Sequence, residues 1–179
     1  MLIEIPKTPV EELKTPFLEL QKIRIFIKRE DLNDPFLQGN KFRKLKYNLM
    51  AAKDEGADTL ITYGGAYSNH VFATAVAGRR FGFKTIGIIR GEELNVNSNS
   101  TLKAAAYFGM TLIFLSRKKF IEFKSHLTFP AHLEGKVYIL PEGGTNGAAI
   151  RGCAETVSYT HLRAHETLRY LVCRLLLEK

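Results

Sequence analysis

The sequence has few of the features that mark secreted, membrane or metal-binding proteins. It contains only two cysteines, Cys153 and Cys173, which give neither a disulfide framework nor a metal-ligand spacing and are typical of a reducing compartment. Its apolar runs, such as residues 85–89 and 112–115, are far shorter than the roughly 20 residues that a membrane span needs. Because the N-terminus also lacks a signal-peptide pattern, we expect a cytoplasmic protein without a membrane partner.

The sequence also lacks low-complexity segments and internal repeats, and 45% of its 179 residues are apolar, so it can bury one sizeable core. Its net charge of +8 would favour nucleic acid if the basic residues formed a stripe with interleaved aromatics. The densest group, Lys41, Arg43, Lys44 and Lys46, instead has apolar residues between its charges. We interpret it as a solvated helix face and expect no nucleic-acid partner. A positive field near an anionic ligand is the other interpretation.

The stretch 157–179 differs in character from the rest of the chain. Codons for 157–166 and 170–179 match, in one frame, two segments of a transposase-type sequencing-library adapter, with residues 168–169 where a variable index falls. We therefore interpret 1–156 as authentic and 157–179 as a read-through artefact, and exclude the latter from functional argument. The alternative is a basic amphipathic C-terminal helix. Setting this stretch aside removes His161 and His165, so no histidine cluster predicts a metal site.

Strand-like and helix-like segments alternate along the authentic part of the chain. The strand-like segments are residues 24–28, 60–63, 85–89, 111–115 and 137–140, and the helix-like segments are residues 41–55, 68–81, 98–108 and 117–126. Alternation of this kind predicts an α/β fold, a parallel sheet with flanking helices. Ligands bind such sheets at the carboxyl ends of the strands, which directs attention to the turns at 64–69 and 142–146.

Lys41 follows a glycine-bearing loop and begins a helix-like segment, in Gly39-Asn40-Lys41. A lysine near the positive end of a helix and beside other cations is shifted toward its neutral form, the form that makes a Schiff base. An ordinary solvated lysine is the alternative from this segment alone.

The turn at 64–69 carries glycines that allow close approach to a ligand, with Ser68 and Asn69 able to cap the following helix and bind an anion. A plain strand-to-helix turn explains the pattern equally well, and the dinucleotide fingerprint G-x-G-x-x-G is absent. The turn at 142–146 either lines the same crevice or merely reverses the chain. His70 and Cys153 are interpreted as structural when taken alone.

Four segments taken in order, IFIKREDL, GNKFRKLKYNL, TLITYGGAYSNHVFATA and YILPEGGTN, are more specific than any one of them. Together, over about residues 6–155, they resemble the fold-type II pyridoxal-phosphate enzymes, which are tryptophan synthase beta-like. The closest similarity is to the 1-aminocyclopropane-1-carboxylate deaminase and D-cysteine desulfhydrase family. The resemblance implies a small domain and an incomplete large domain within 1–156, and pyridoxal 5'-phosphate as cofactor.

The resemblance also implies roles for individual residues. Lys41 would hold the cofactor covalently and carry protons in catalysis, and Asn69 would hydrogen-bond the cofactor's ring oxygen. Ser68 would be the second catalytic residue beside Lys41 and, with Asn69 and His70, would bind the carboxylate of a small amino-acid substrate. The pair Asn69-His70 is nearer to the desulfhydrases than to the cyclopropane deaminases, which have Asn-Gln.

The implied activity is a deaminase or lyase reaction that gives a 2-keto acid and ammonia. The alternatives are a β-replacing synthase or racemase of the same fold, and a non-catalytic binding protein. In the family, the loop that binds the cofactor phosphate lies beyond Glu155, so we expect this fragment to be inactive and its parent to be the enzyme, possibly a homo-oligomer.

Overall fold

The computed structural model describes residues 3–129, 135–158 and 175–178. Its strands are β1 (Val10–Leu13), β2 (Arg24–Lys28), β3 (Thr59–Gly64), β4 (Lys84–Arg90), β5 (Met110–Leu115), β6 (Val137–Leu140) and β7 (Leu175–Glu178). Its α-helices are α1 (Pro16–Leu20), α2 (Asn40–Asp54), α3 (Asn69–Phe81), α4 (Ser100–Tyr107), α5 (Arg117–His126) and α6 (Gly147–Ser158). The alternation predicted from the sequence is therefore confirmed for the segments from β2 to β6.

The central sheet has four parallel strands in the order β5-β4-β3-β6. Parallel neighbours need a crossover connection, and α3, α4 and α5 supply the crossovers between successive strands. All six residues of β3 are buried, as expected for a central strand covered on both faces. The predicted α/β fold with flanking helices is confirmed.

A second, antiparallel sheet has the order β1-β2-β7. Sequence analysis found only β2 among these strands, and it also missed the short helix α1. The strand β7 lies within the stretch interpreted as adapter-derived, and Leu175 of β7 pairs with Ile27 of β2. The alternative C-terminal helix is therefore wrong for Leu175–Glu178, which pair with β2 as a strand. Residues 159–174 lie outside the described residues, and the adapter origin of 157–179 stays a prediction.

Helix α2 packs its apolar side against the central sheet and α3. Phe42, Leu45, Leu49 and Ala52 recur at helical spacing and are all at most 4% exposed. They share one core cluster with Leu60 of β3 and with apolar residues of α3. The same cluster contains Leu140, the last residue of β6, so α2 also reaches the carboxyl edge of the sheet, where a ligand is predicted to bind.

The basic residues of α2 do not form the solvated face that the sequence predicted. The Arg43 side chain is 13% exposed and pairs with Glu30, and Lys46 Nζ lies 2.8 Å from Glu155 Oε1 on α6. Lys44 Nζ donates to Thr145 Oγ1 over 3.1 Å. The prediction was wrong because α6 packs along this side of α2, and charges withdrawn from water need partners.

Neither a membrane-spanning helix nor a metal-binding cluster is present in the parts of the chain that the structure describes. No helix there has the length and apolar character needed to cross a membrane. No group of three or more histidine, cysteine, aspartate or glutamate side chains there is arranged to hold a metal ion.

Candidate functional site

The two glycine-rich turns lie at the same edge of the sheet, and the second packs against the helix that follows the first. They follow β3 and β6, which pair in parallel with Thr62 opposite Leu140. An ideal Cβ placed on Gly144 would lie 2.4 Å from Cε1 of His70, so the second turn packs directly against the ring at the start of α3. Of the two interpretations left open for the second turn, the structure favours the one in which it lies beside the first turn at the carboxyl edge.

Ser68 caps the helix that follows the first turn. Its backbone is extended, and its Oγ accepts a hydrogen bond from the Val71 N–H over 3.3 Å. The cap satisfies one of the amide groups that a helix leaves without a partner at its N-terminus. Asn69 is the first residue of α3 and is exposed. Ser68 and Asn69 are thus available to a ligand, although no hydrogen bond joins either of them to Lys41 among the described residues.

The second turn is bound to α2 by a group of amide side chains. Asn146 Nδ2 donates to Asn48 Oδ1 over 2.7 Å, and the Tyr138 hydroxyl donates to the same oxygen over 3.1 Å. Asn146 Oδ1 also accepts from the Ala149 N–H over 2.9 Å, which caps α6. Asn48 is only 1% exposed, so these bonds compensate the burial of its amide. The turn is therefore built into the structure and held beside α2.

The contact between Gly144 and the His70 ring predicts different effects for alanine at two neighbouring glycines. Gly143 and Gly144 have φ of 71° and 66°, so alanine is strained at both, by about 1 kcal/mol. Only Gly144→Ala also meets the His70 ring, since the atom nearest to a Cβ on Gly143 is 4.0 Å away. We expect Gly144→Ala to lower the free energy of unfolding by about 1 kcal/mol more than Gly143→Ala, measured by urea denaturation. Equal losses would contradict the contact.

Lys41 lies in the first turn of α2, after the Gly39 N-cap, and is half-buried. Burial lowers the pKa of its amine, and the positive charge of Lys44 lowers it further, while the charge of Cys153 on α6 acts in the opposite direction. A lowered pKa raises the fraction of neutral, nucleophilic amine at a given pH. Cys153, interpreted from the sequence as structural, lies close enough to influence the Lys41 charge.

His70 is a buried side chain with unused hydrogen-bonding groups. It is 2% exposed, and neither ring nitrogen has a hydrogen-bonding partner among the described residues. Burial, with the charges of Lys41 and Lys44, lowers the pKa of His70 to about 3, so the ring is neutral at physiological pH. Buried polar atoms are nearly always paired in folded proteins. A neutral ring with one donor and one acceptor facing two lysines suits a polar ligand at this place.

A family model for pyridoxal-phosphate dependent enzymes matches residues 2–175, nearly the whole chain. This chain belongs to the pyridoxal-phosphate dependent enzymes. The cofactor of the family is pyridoxal phosphate, as the resemblance of the four sequence segments implied.

Two curated relatives show which members of the pyridoxal-phosphate family this chain resembles. A Thermotoga maritima protein provisionally named 1-aminocyclopropane-1-carboxylate deaminase is 35% identical over 84% of this chain and 48% of its own length. An Arabidopsis thaliana protein named bifunctional D-cysteine desulfhydrase/1-aminocyclopropane-1-carboxylate deaminase, mitochondrial, is 31% identical over 83% of this chain and 39% of its own. The chain thus spans about half the length, or less, of these curated relatives. The predicted resemblance to the deaminase and desulfhydrase family is confirmed.

A solved structure of a 1-aminocyclopropane-1-carboxylate deaminase homologue matches 90% of this chain and 50% of its own, with a TM-score of 0.70 and 27% identity. A hydrogen sulfide-producing enzyme from Fusobacterium nucleatum matches 88% of this chain and 47% of its own, with a TM-score of 0.58 and 19% identity. The second match shows the fold alone. Both agree with the parallel sheet and flanking helices described above.

The residues of this pyridoxal-phosphate family member fit the cofactor in two respects. The half-buried Lys41 supplies a primary amine with a lowered pKa, which an aldehyde requires. The buried ring nitrogens of His70 supply unpaired polar groups close to that amine. Asn48, Tyr138 and the Lys44 contact with Thr145 were not predicted from the sequence. Their partners lie about 100 residues away, and an asparagine, tyrosine or lysine in a helix or strand carries no local signal of so distant a partner.

Proposed function

We propose that this chain is the N-terminal part of a pyridoxal-phosphate dependent deaminase or desulfhydrase that converts a small amino acid into a 2-keto acid and ammonia. The observation that carries the proposal is the half-buried Lys41 amine, with its lowered pKa, beside two converging glycine-rich turns. The names of the relatives support the deaminase and desulfhydrase chemistry. D-cysteine or a related amino acid is the proposed substrate, since His70 follows Asn69 here as in the desulfhydrase type.

The proposed roles follow from where each residue lies. Lys41, as a neutral amine, would hold the cofactor through its aldehyde and would carry the α-proton of the substrate. Ser68 and the N-terminal amides of α3 bind the substrate carboxylate, because a helix N-terminus favours an anion. Asn69 would donate to the ring oxygen of the cofactor, and His70, as a neutral ring, would contribute to substrate binding. The cofactor supplies the electron sink that the side chains lack.

The isolated 179-residue chain is proposed to be inactive. It spans about half of the relatives' length. The family's phosphate-binding loop is expected in the part that this chain does not include. Cytoplasmic residence stays a prediction, and the Arabidopsis relative carries the word mitochondrial in its name.

The proposal is tested by trapping the cofactor on the chain. The purified chain is incubated with pyridoxal phosphate at neutral pH, reduced with borohydride and mapped by mass spectrometry. We expect the label to appear on Lys41 faster than on the exposed Lys103, because the lowered pKa leaves more of the Lys41 amine neutral.

Two variants control the trapping experiment. Lys41→Arg keeps the positive charge but removes the primary amine, and should abolish the fast label. Lys103→Ala should leave it intact. Labelling spread evenly over the surface lysines, with no preference for Lys41, would refute the assignment of Lys41 as the cofactor lysine.

A further inference from the structure

Glu30 is a buried carboxylate to which the proposed reaction gives no task. Its side chain is 1% exposed, yet it accepts hydrogen bonds from Arg43 Nε over 2.5 Å, from Arg43 Nη2 over 2.9 Å and from Thr8 Oγ1 over 3.0 Å. Burial acts to raise the pKa of Glu30, but the pairing with Arg43 outweighs it and holds the pKa below its ordinary value. Glu30 is therefore a fixed anion between the N-terminal segment and α2.

The main chain of Glu30 also contacts α2, at its N-cap. Its carbonyl oxygen accepts from the Gly39 N–H over 2.8 Å, and Asn33 Nδ2 donates to the Gly39 carbonyl over 3.2 Å. Gly39 is the N-cap of α2 and has φ of 62°, a conformation that favours glycine. Glu30 thus contacts both Gly39 and Arg43, and Lys41 lies between these two residues in the sequence.

The spacing of Lys41 and Arg43 couples the two side chains through the helix. Residues two apart in an α-helix point about 200° away from each other around the axis. When Glu30 binds Arg43 through two parallel N–H groups, it fixes the rotation of the first turn of α2, since a two-pronged pair tolerates little reorientation. The Lys41 amine is then directed to the opposite side, where its charge acts on the buried ring of His70.

We propose that Glu30 is a positioning residue that, through Gly39 and Arg43, sets the direction in which α2 presents the Lys41 amine to the cofactor. This inference rests on the proposed function of Lys41. A residue with a merely structural role would change the stability of the chain but not the titration of Lys41 in the folded state.

Competitive acetylation with acetic anhydride tests the proposal on the full 179-residue chain, with labelling of the Lys41 peptide followed against pH. In the Glu30→Gln variant we expect the midpoint of Lys41 labelling to move to higher pH, because the amine leaves its buried position. The control Glu93→Gln makes the same chemical change in an exposed pair with Arg117 and should shift nothing. The titratable groups near Lys41 are Lys44, His70 and Cys153, and none of them is substituted in any variant.

Arg43→Lys is the second variant and keeps the charge while removing the two-pronged contact. A shift of the Lys41 labelling midpoint to higher pH in this variant supports the proposal. If circular dichroism shows that Glu30→Gln does not fold, the result for Arg43→Lys alone decides the test. A folded Glu30→Gln or Arg43→Lys chain with an unchanged Lys41 midpoint would overturn it. Acetylation needs no cofactor, so a failure of Lys41 to bind pyridoxal phosphate would refute the proposed function and leave this test intact.

Discussion

Replacing Gly152 with alanine is expected to lower the free energy of unfolding by about 3 kcal/mol, the upper end of the usual range for overpacking. A Cβ on Gly152 of α6 would lie 2.0 Å from the Arg43 carbonyl oxygen and 2.9 Å from its carbonyl carbon. Because both atoms are main-chain atoms of α2, they cannot rotate aside as a flexible side chain would. The two helices must therefore separate, which also loosens the cover that α6 provides beside Lys41.

Gly147→Ala is the matched control on the same helix. No atom lies within 4 Å of a Cβ placed on Gly147, and alanine is ordinarily the better helix former by about 1 kcal/mol. We expect this variant to be neutral or slightly more stable in urea denaturation followed by circular dichroism. If Gly152→Ala proved as stable as Gly147→Ala, the close approach of α2 and α6 would be disproved.

The second large effect is a loss of stability in mild acid that depends on His70. The folded chain holds the pKa of His70 at about 3 instead of 6.5, by burial and by the charges of Lys41 and Lys44. Below pH 6.5 the unfolded chain therefore binds a proton that the folded chain refuses, and stability falls with pH until about pH 3. At about 1.4 kcal/mol for each pH unit, the loss between pH 6.5 and 4 is about 3 kcal/mol.

His70→Gln separates this effect from other acid-labile groups. Glutamine does not titrate, so the variant should lose about 3 kcal/mol less than the natural chain between pH 6.5 and 4, by urea denaturation at each pH. Carboxylates with lowered pKa values, Glu30 among them, contribute their stability above their ordinary pKa and lose it at lower pH in both chains. Parallel stability curves for the two chains would show that His70 is not buried as described.

The elements with strong local patterns were predictable from the sequence. The strand β2 was predicted with the bounds that the structure has, and the start of α2 was predicted to within one residue. The strand β1 was missed because it is mostly exposed and carries two glutamates, and α1 because five residues give no helical period. The place of β6 beside β3 was not predicted, since strand order is set by packing across the whole chain.

The site was predictable only where a short motif carries it. Lys41 and the two turns stand in recognisable segments, and the structure brings the turns together. The basic residues of α2 were misread as a solvated face because their partners Glu30 and Glu155 lie 13 and 109 residues away from Arg43 and Lys46, respectively. Pairing at such separations leaves no trace in a local pattern of charge.

The order of the strands has a consequence for the time at which the site forms. Lys44 donates to Thr145, 101 positions further along the chain, and β6 comes last in sequence among the four described strands of the central sheet. During synthesis, β3, β4 and β5 emerge before Val137–Leu140 exist, and contacts between distant segments form slowly. A nascent chain therefore contains α2 and Lys41 before the second turn has been synthesised. The environment of the Lys41 amine is complete only after β6 pairs with β3.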